Sequence, residues 1–130
     1  MPDQKRPMET KPLKPNNPKN KLTQNERDSL FFLVYLYMRI GKTEDAQLIL
    51  EGLEKSCPEE ERTGKYLAAI ALDQEDGKKA LGYLKPYLDR SEIKSQDAPL
   101  LLMQAKSLWI LGQENESRNI ISEYLIMAGE

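Results

Sequence analysis

Between residues 22 and 128 one apolar pattern appears three times, and this repetition constrains the fold more than any other feature of the chain. Displaced by 34 residues, Leu33 falls on Leu67, Ala46 on Ala80 and Leu50 on Leu84. Displaced by a further 37, Ala68 falls on Ala105, Leu84 on Ile121, Tyr87 on Tyr124 and Leu88 on Leu125. Gly41 falls on Glu75, beside the turn pair Asp76–Gly77, and a glycine returns at the third turn as Gly112. The three extra residues of the second shift fit the polar stretch 91–97. Within each copy the apolar spacing is that of helices. The pattern predicts three helix–turn–helix units at about 24–57, 60–90 and 98–128.

The first unit is the clearest. Leu30, Leu33, Tyr37 and Ile40 fall on one helical face, and Gly41 stops that helix. Thr43 is placed to cap the next helix, with Glu44 and Asp45 in its first turn, where acidic groups suit the helix dipole. Ala46, Ile49, Leu50 and Leu53 form the second apolar stripe. Pro58 closes the unit, and Glu59, Glu60 and Glu61 are expected to open the next helix. One helix pair cannot bury its apolar face alone, but stacked pairs share a continuous core.

Residues 1–21 are different. Five of the eight prolines lie there, with few large apolar side chains, so the segment cannot offset the entropy of ordering. It carries six basic and two acidic residues, a net +4, and residues 22–130 carry −6. The reading is a basic, proline-rich, disordered or extended tail before a helical domain at 22–130. The tail either touches an acidic partner or nucleic acid, or is a solubilising leader. No aromatic residues interleave its charges, which makes nucleic acid the weaker choice.

Cys57 is the single cysteine, so no intramolecular disulfide can form, and a reducing, cytoplasmic setting fits. No apolar run is long enough to span a bilayer, and the start of the chain lacks the apolar core of a secretory signal.

The period resembles the tetratricopeptide repeat. Leu30, Leu33, Tyr37, Gly41, Ala46 and Pro58 stand at that family's spacing. The second unit keeps Leu67, Ala68 and Ala80 but loses the aromatic and the proline. The third keeps Ala105 and Gly112 but has Ser117 where alanine is expected. The resemblance implies an all-α fold: three tetratricopeptide-like helix–turn–helix repeats in a short right-handed solenoid with a concave groove. The alternative is a general helical bundle whose spacing is accidental.

By the same resemblance, the first helix of each unit lines the groove. The positions are Asp28, Phe31, Tyr35, Met38 and Arg39, then Arg62, Lys65, Ala69, Leu72 and Asp73, then Pro99, Leu102, Lys106, Trp109 and Ile110. Phe31, Tyr35, Met38, Leu72, Leu102 and Trp109 make this surface unusually apolar, as interaction sites are. The expected ligand is an amphipathic helix. Arg39, Lys65 and Lys106 are available for its acidic groups, although Tyr35 stands where a carboxylate clamp of the family needs asparagine or lysine. The other reading, open for Phe31 and Leu102 above all, is that these side chains fill the core. The last helix, with Ile120, Ile121, Tyr124, Leu125 and Met127, is apolar on more than one face. A partner, a second copy or the tail is expected to cover it.

Signals for catalysis are weak. Histidine, the commonest general base and metal ligand, does not occur in the chain. Gly41-Lys42-Thr43 has the end of a phosphate loop, but Leu36 stands where the first glycine is required. Cys57 reads as a small structural residue and Asn115-Glu116-Ser117 as an unused glycosylation sequon. A binding protein rather than an enzyme is expected, with no cofactor and no metal.

Leu22, Thr23, Leu30, Gly41, Glu44, Ala46, Leu50 and Leu53 also resemble the opening helices of small chaperones of bacterial type III secretion, the YscG/YscY-like proteins. The resemblance implies a cytoplasmic chaperone that holds an amphipathic helix of a secretion-apparatus subunit and prevents premature assembly. A homodimer is implied when the client is absent. The proline-rich tail departs from that family. The competing class is a scaffold or adaptor without a secreted client, and a third possibility is a self-associating structural protein.

Overall fold

The computed structural model describes residues 22–89 and 93–129. The tail expected at 1–21 lies outside them. The described residues are all-helical: α1 Gln24–Arg39, α2 Thr43–Ser56, α3 Arg62–Asp73, α4 Gly77–Leu88, a 3-10 turn Ser95–Asp97, α5 Pro99–Ile110 and α6 Glu114–Ala128. None of these helices is long and apolar enough to cross a membrane.

The helices form three hairpins, α1–α2, α3–α4 and α5–α6, that pack in chain order. α3 sits on α2, and α5 sits on both α3 and α4. Phe31, Val34, Ala46, Leu50 and Leu53 of the first hairpin close around Leu67 and Ile70 of the second. Ala68, Leu84 and Tyr87 of the second close around Leu100 of the third, with Met103 alongside.

The three corners are built alike. Lys42 N–H donates to the Tyr37 carbonyl at 2.8 Å, Asp76 to Ala71 at 2.8 Å and Gln113 to Leu108 at 2.9 Å. Each bond closes a helix end around a residue of positive φ: Gly41 at 81°, Glu75 at 58° and Gly112 at 83°. The motif satisfies the last carbonyls of the helix and favours glycine at its left-handed position. Glu75 has no such freedom and bears the steric penalty of its Cβ. Glu75→Gly is therefore expected to stabilise the fold by roughly 0.5–1 kcal/mol, read as a higher denaturant midpoint at unchanged slope.

Local signals define the helix starts. Thr23 and Glu26 form a reciprocal capping box on α1, and the Asp76 carboxylate accepts from Lys79 N–H on α4. Thr43 does not cap α2: Lys42 holds that position, and Thr43 is the first helical residue. Glu59–Glu61 precede α3 rather than forming its first turn, because the helix begins at Arg62.

Small residues set the spacing within and between hairpins. Ala46, Ala80 and Ser117 occupy one register position, and all three are buried. Ser117 adds a bond that alanine cannot make, its hydroxyl donating to the Ala105 carbonyl at 2.8 Å. Gly77 lets α4 meet α5 closely, since a Cβ there would lie 2.6 Å from the Ser107 carbonyl oxygen.

Of the expected core face of α1, Leu30 and Tyr37 pack against the core, but the centre of the face is rotated away from Leu33 and Ile40. Phe31 and Val34 are buried, whereas Leu33 and Ile40 are exposed. Residues 30–38 are apolar without interruption, so periodicity could not choose a face. The packing of α2 and α3 chooses it.

Candidate functional site

The proposed groove residues do not form one surface. Phe31 and Leu72 are 3 % and 6 % exposed and belong to the core, so neither can meet a ligand. Phe31 stacks on Tyr66 at 5.3 Å, and the Arg62 guanidinium covers its other surroundings at 4.3 Å from the ring centroid. Met38 is half-buried against the same core. Lys65 is engaged, its Nζ lying 2.7 Å from the buried Asp97 carboxylate and 5.3 Å from the Tyr87 ring. Tyr35 and Arg39 remain exposed at the end of α1, where the Arg39 guanidinium donates to the Tyr35 hydroxyl at 2.7 Å.

Electrostatics ties down the mouth between the first two hairpins. Glu60 accepts from Arg27 Nε at 2.9 Å and from Arg62 Nε at 2.9 Å, while Arg62 also reaches Asp28 at 2.9 Å. The Arg62 hydrogen bonds, reinforced by Arg27, hold the Glu60 carboxyl down to about 2 against the opposing effect of burial. This cluster is structural cement between α1 and α3, and it occupies groove positions that a ligand would need.

Leu102, Lys106 and Trp109 are brought together. With Ala105 on α5 and Ser117 and Ile121 on α6, they line a mainly apolar hollow of about 310 Å³. The Arg118 guanidinium lies 5.7 Å from the Trp109 ring centroid at its border. A larger hollow of about 500 Å³ lies among α2, α4 and the α2–α3 connection, with Glu54, Glu59, Glu60 and Glu61 placing carboxylates around it. Cys57, at its wall, is buried. Among the described residues no three His, Cys, Asp or Glu side chains are grouped to hold a metal ion.

The repeat register explains why the α5–α6 hollow is open. Leu50 and Leu84 are fully buried because the next hairpin covers them; Ile121, at the same position in the third hairpin, is 38 % exposed. Leu72 is buried under α5, while its equivalent Trp109 is 51 % exposed. Phe31 is buried against α3, while its equivalent Leu102 is 42 % exposed. The third hairpin thus carries the apolar side chains with which a hairpin receives a following helix, and among the described residues no helix covers them. Ile121 and its helix were visible in the sequence as excess apolar surface, but only the packing joins them to Leu102 and Trp109.

No family model matches the chain, and no curated protein or solved structure matches it at a significant level.

Proposed function

We propose that this chain is a tetratricopeptide-like binding module, a short right-handed solenoid that holds an amphipathic helix of a client protein against the α5–α6 face. The carrying observation is the register: Leu102, Trp109 and Ile121 are exposed, whereas Phe31, Leu72, Leu50 and Leu84 at matching positions of the earlier hairpins are buried. A helix presenting alternate apolar turns would restore that burial at about 25 cal/mol per Å² of apolar surface removed from water. Lys106 at the border of the hollow suits an acidic residue on the client.

In the form that the sequence resemblance implies, the module is a cytoplasmic chaperone of a type III secretion subunit. Its mechanism is occlusion: the client's self-assembling apolar face stays covered until export. The site differs from the expected concave groove, because Phe31 and Leu72 are core residues and Lys65 and Arg62 are committed to ion pairs.

Trp109→Ala and Ile121→Asp are expected to abolish recovery of a 1:1 client complex from the native cell, while the far-ultraviolet circular dichroism stays that of the wild type. Trp109 supplies the largest apolar surface in the hollow, and truncating such an anchor costs at least about 2 kcal/mol of binding, a thirtyfold weakening or more. Complex recovery unchanged by both variants would refute this site.

A further inference from the structure

The α5–α6 face has a complementary counterpart at the other end of the molecule. Tyr66, Leu67 and Ile70 are the face of α3 that docks on the first hairpin. Counted back by the repeat, the same positions of α1 hold Phe32, Leu33 and Leu36. Leu67 and Ile70 are each 2 % exposed; Leu33 and Leu36 are 37 % and 39 % exposed, and Phe32 is 62 % exposed. Thus α1 presents the side chains with which a hairpin docks on its predecessor, and α5–α6 presents those with which a hairpin receives its successor.

The polar contacts between hairpins follow a looser rule. An acidic residue just ahead of the later hairpin's first helix meets a basic residue of the earlier one: Glu60 meets Arg27, and Asp97 meets Lys65. Glu26 is the register equivalent of Glu60 and Asp97, but it lies inside α1, where its carboxylate accepts from Thr23 N–H in the capping box. At the other end, Lys106 is exposed beside the apolar hollow, at a register position that Arg27 and Lys65 do not share. The apolar faces, rather than the charges, therefore continue the pattern of the internal hairpin–hairpin interfaces.

We infer that a second copy of this chain docks head to tail, with its α1 face of Phe32, Leu33 and Leu36 on the Leu102–Trp109–Ile121 face of the first. This rests on reading the α5–α6 face as a helix-docking surface and names its occupant when no client is bound. The contact is heterologous, since each copy uses a different face, so it extends into a chain of subunits or closes into a ring. Client binding at α5–α6 then competes with self-association.

Sedimentation velocity of the full chain tests this with two charge insertions at exposed positions, Phe32→Asp at the head and Trp109→Asp at the tail. The wild type is expected to grow beyond a dimer as concentration rises. Each variant alone is expected to be a monomer, and an equimolar mixture is expected to form a 1:1 dimer that grows no further. Only one intact head and one intact tail remain in that mixture. A dimer formed by Trp109→Asp alone would mean head-to-head pairing, and one formed by Phe32→Asp alone tail-to-tail pairing; either overturns the inference, as does a wild type monomeric at all concentrations. Circular dichroism checks folding, and Leu36→Asp, also at an exposed position of the same α1 face, replaces Phe32→Asp if that variant unfolds. If the wild type is monomeric yet Trp109→Asp still loses the co-purifying client, the inference fails and the proposed function stands. If Trp109→Asp changes neither, both fail.

Discussion

Leu84→Ala is expected to lower the free energy of unfolding by about 3–4 kcal/mol, whereas Ile121→Ala, at the same repeat position, lowers it by no more than about 1 kcal/mol. Leu84 is fully enclosed by its own hairpin and by α5, so truncation removes its transfer free energy and leaves a cavity that the neighbours cannot fill. Ile121 is open to solvent on the hollow, and its shortened side chain leaves a shallower surface rather than a void. Urea unfolding at equilibrium gives both numbers. The order reverses in binding, where Ile121→Ala weakens client capture and Leu84→Ala acts only through stability. Equal losses of stability would show that α6 is as fully packed as α4 and would remove the argument for an open docking face.

Acid is expected to loosen the joint between the first two hairpins. Glu60 is 10 % exposed and held by Arg27 and Arg62, which lower its carboxyl from 4.5 to about 2. A carboxylate lowered in the folded state contributes stability above its unfolded pKa. That contribution is lost as pH falls from about 4.5 through about 2. At roughly 1.4 kcal/mol for each unit by which the carboxyl is lowered, and with solvent screening the Arg62 partner, the loss is at most about 3 kcal/mol. Asp28, lowered by hydrogen bonds from Gln24 and Arg62, acts in the same direction. Denaturant midpoints measured from pH 6 to pH 2 should fall steeply for the wild type. Glu60→Gln should start lower at pH 6, because it leaves Arg27 beside Arg62 without the shared anion, and should fall less steeply. Parallel slopes for the two proteins would place the acid sensitivity elsewhere.

The sequence carried the corners and the alternation of helices with little ambiguity. Gly41 and Gly112, spaced with Glu75 by the same shifts that superpose Ala46 on Ala80, mark places where a chain must leave a helix. The reason is local: a left-handed residue and a six-residue closure need no distant partner. The Ala46, Ala80 and Ser117 positions were legible for a similar reason, since only small residues tolerate that closeness. The face of α1 was not legible. Nine consecutive apolar residues give no phase, and the choice of Phe31 and Val34 over Leu33 and Ile40 comes from what α2 and α3 place beside them.

The role of Glu60 was hidden as well. In sequence it is the middle of an acidic run before a helix, and its meaning depends on Arg27, which lies 33 residues earlier. By itself, therefore, the sequence determined that the chain forms helices, where they turn, and that they come in three similar pairs. Each of those depends on side-chain periodicity and backbone conformation within a few residues. The tertiary structure alone decided which apolar side chains are core and which are surface. The same register position is buried in the first two pairs and exposed in the third, because burial depends on the helix packed above it rather than on the residue.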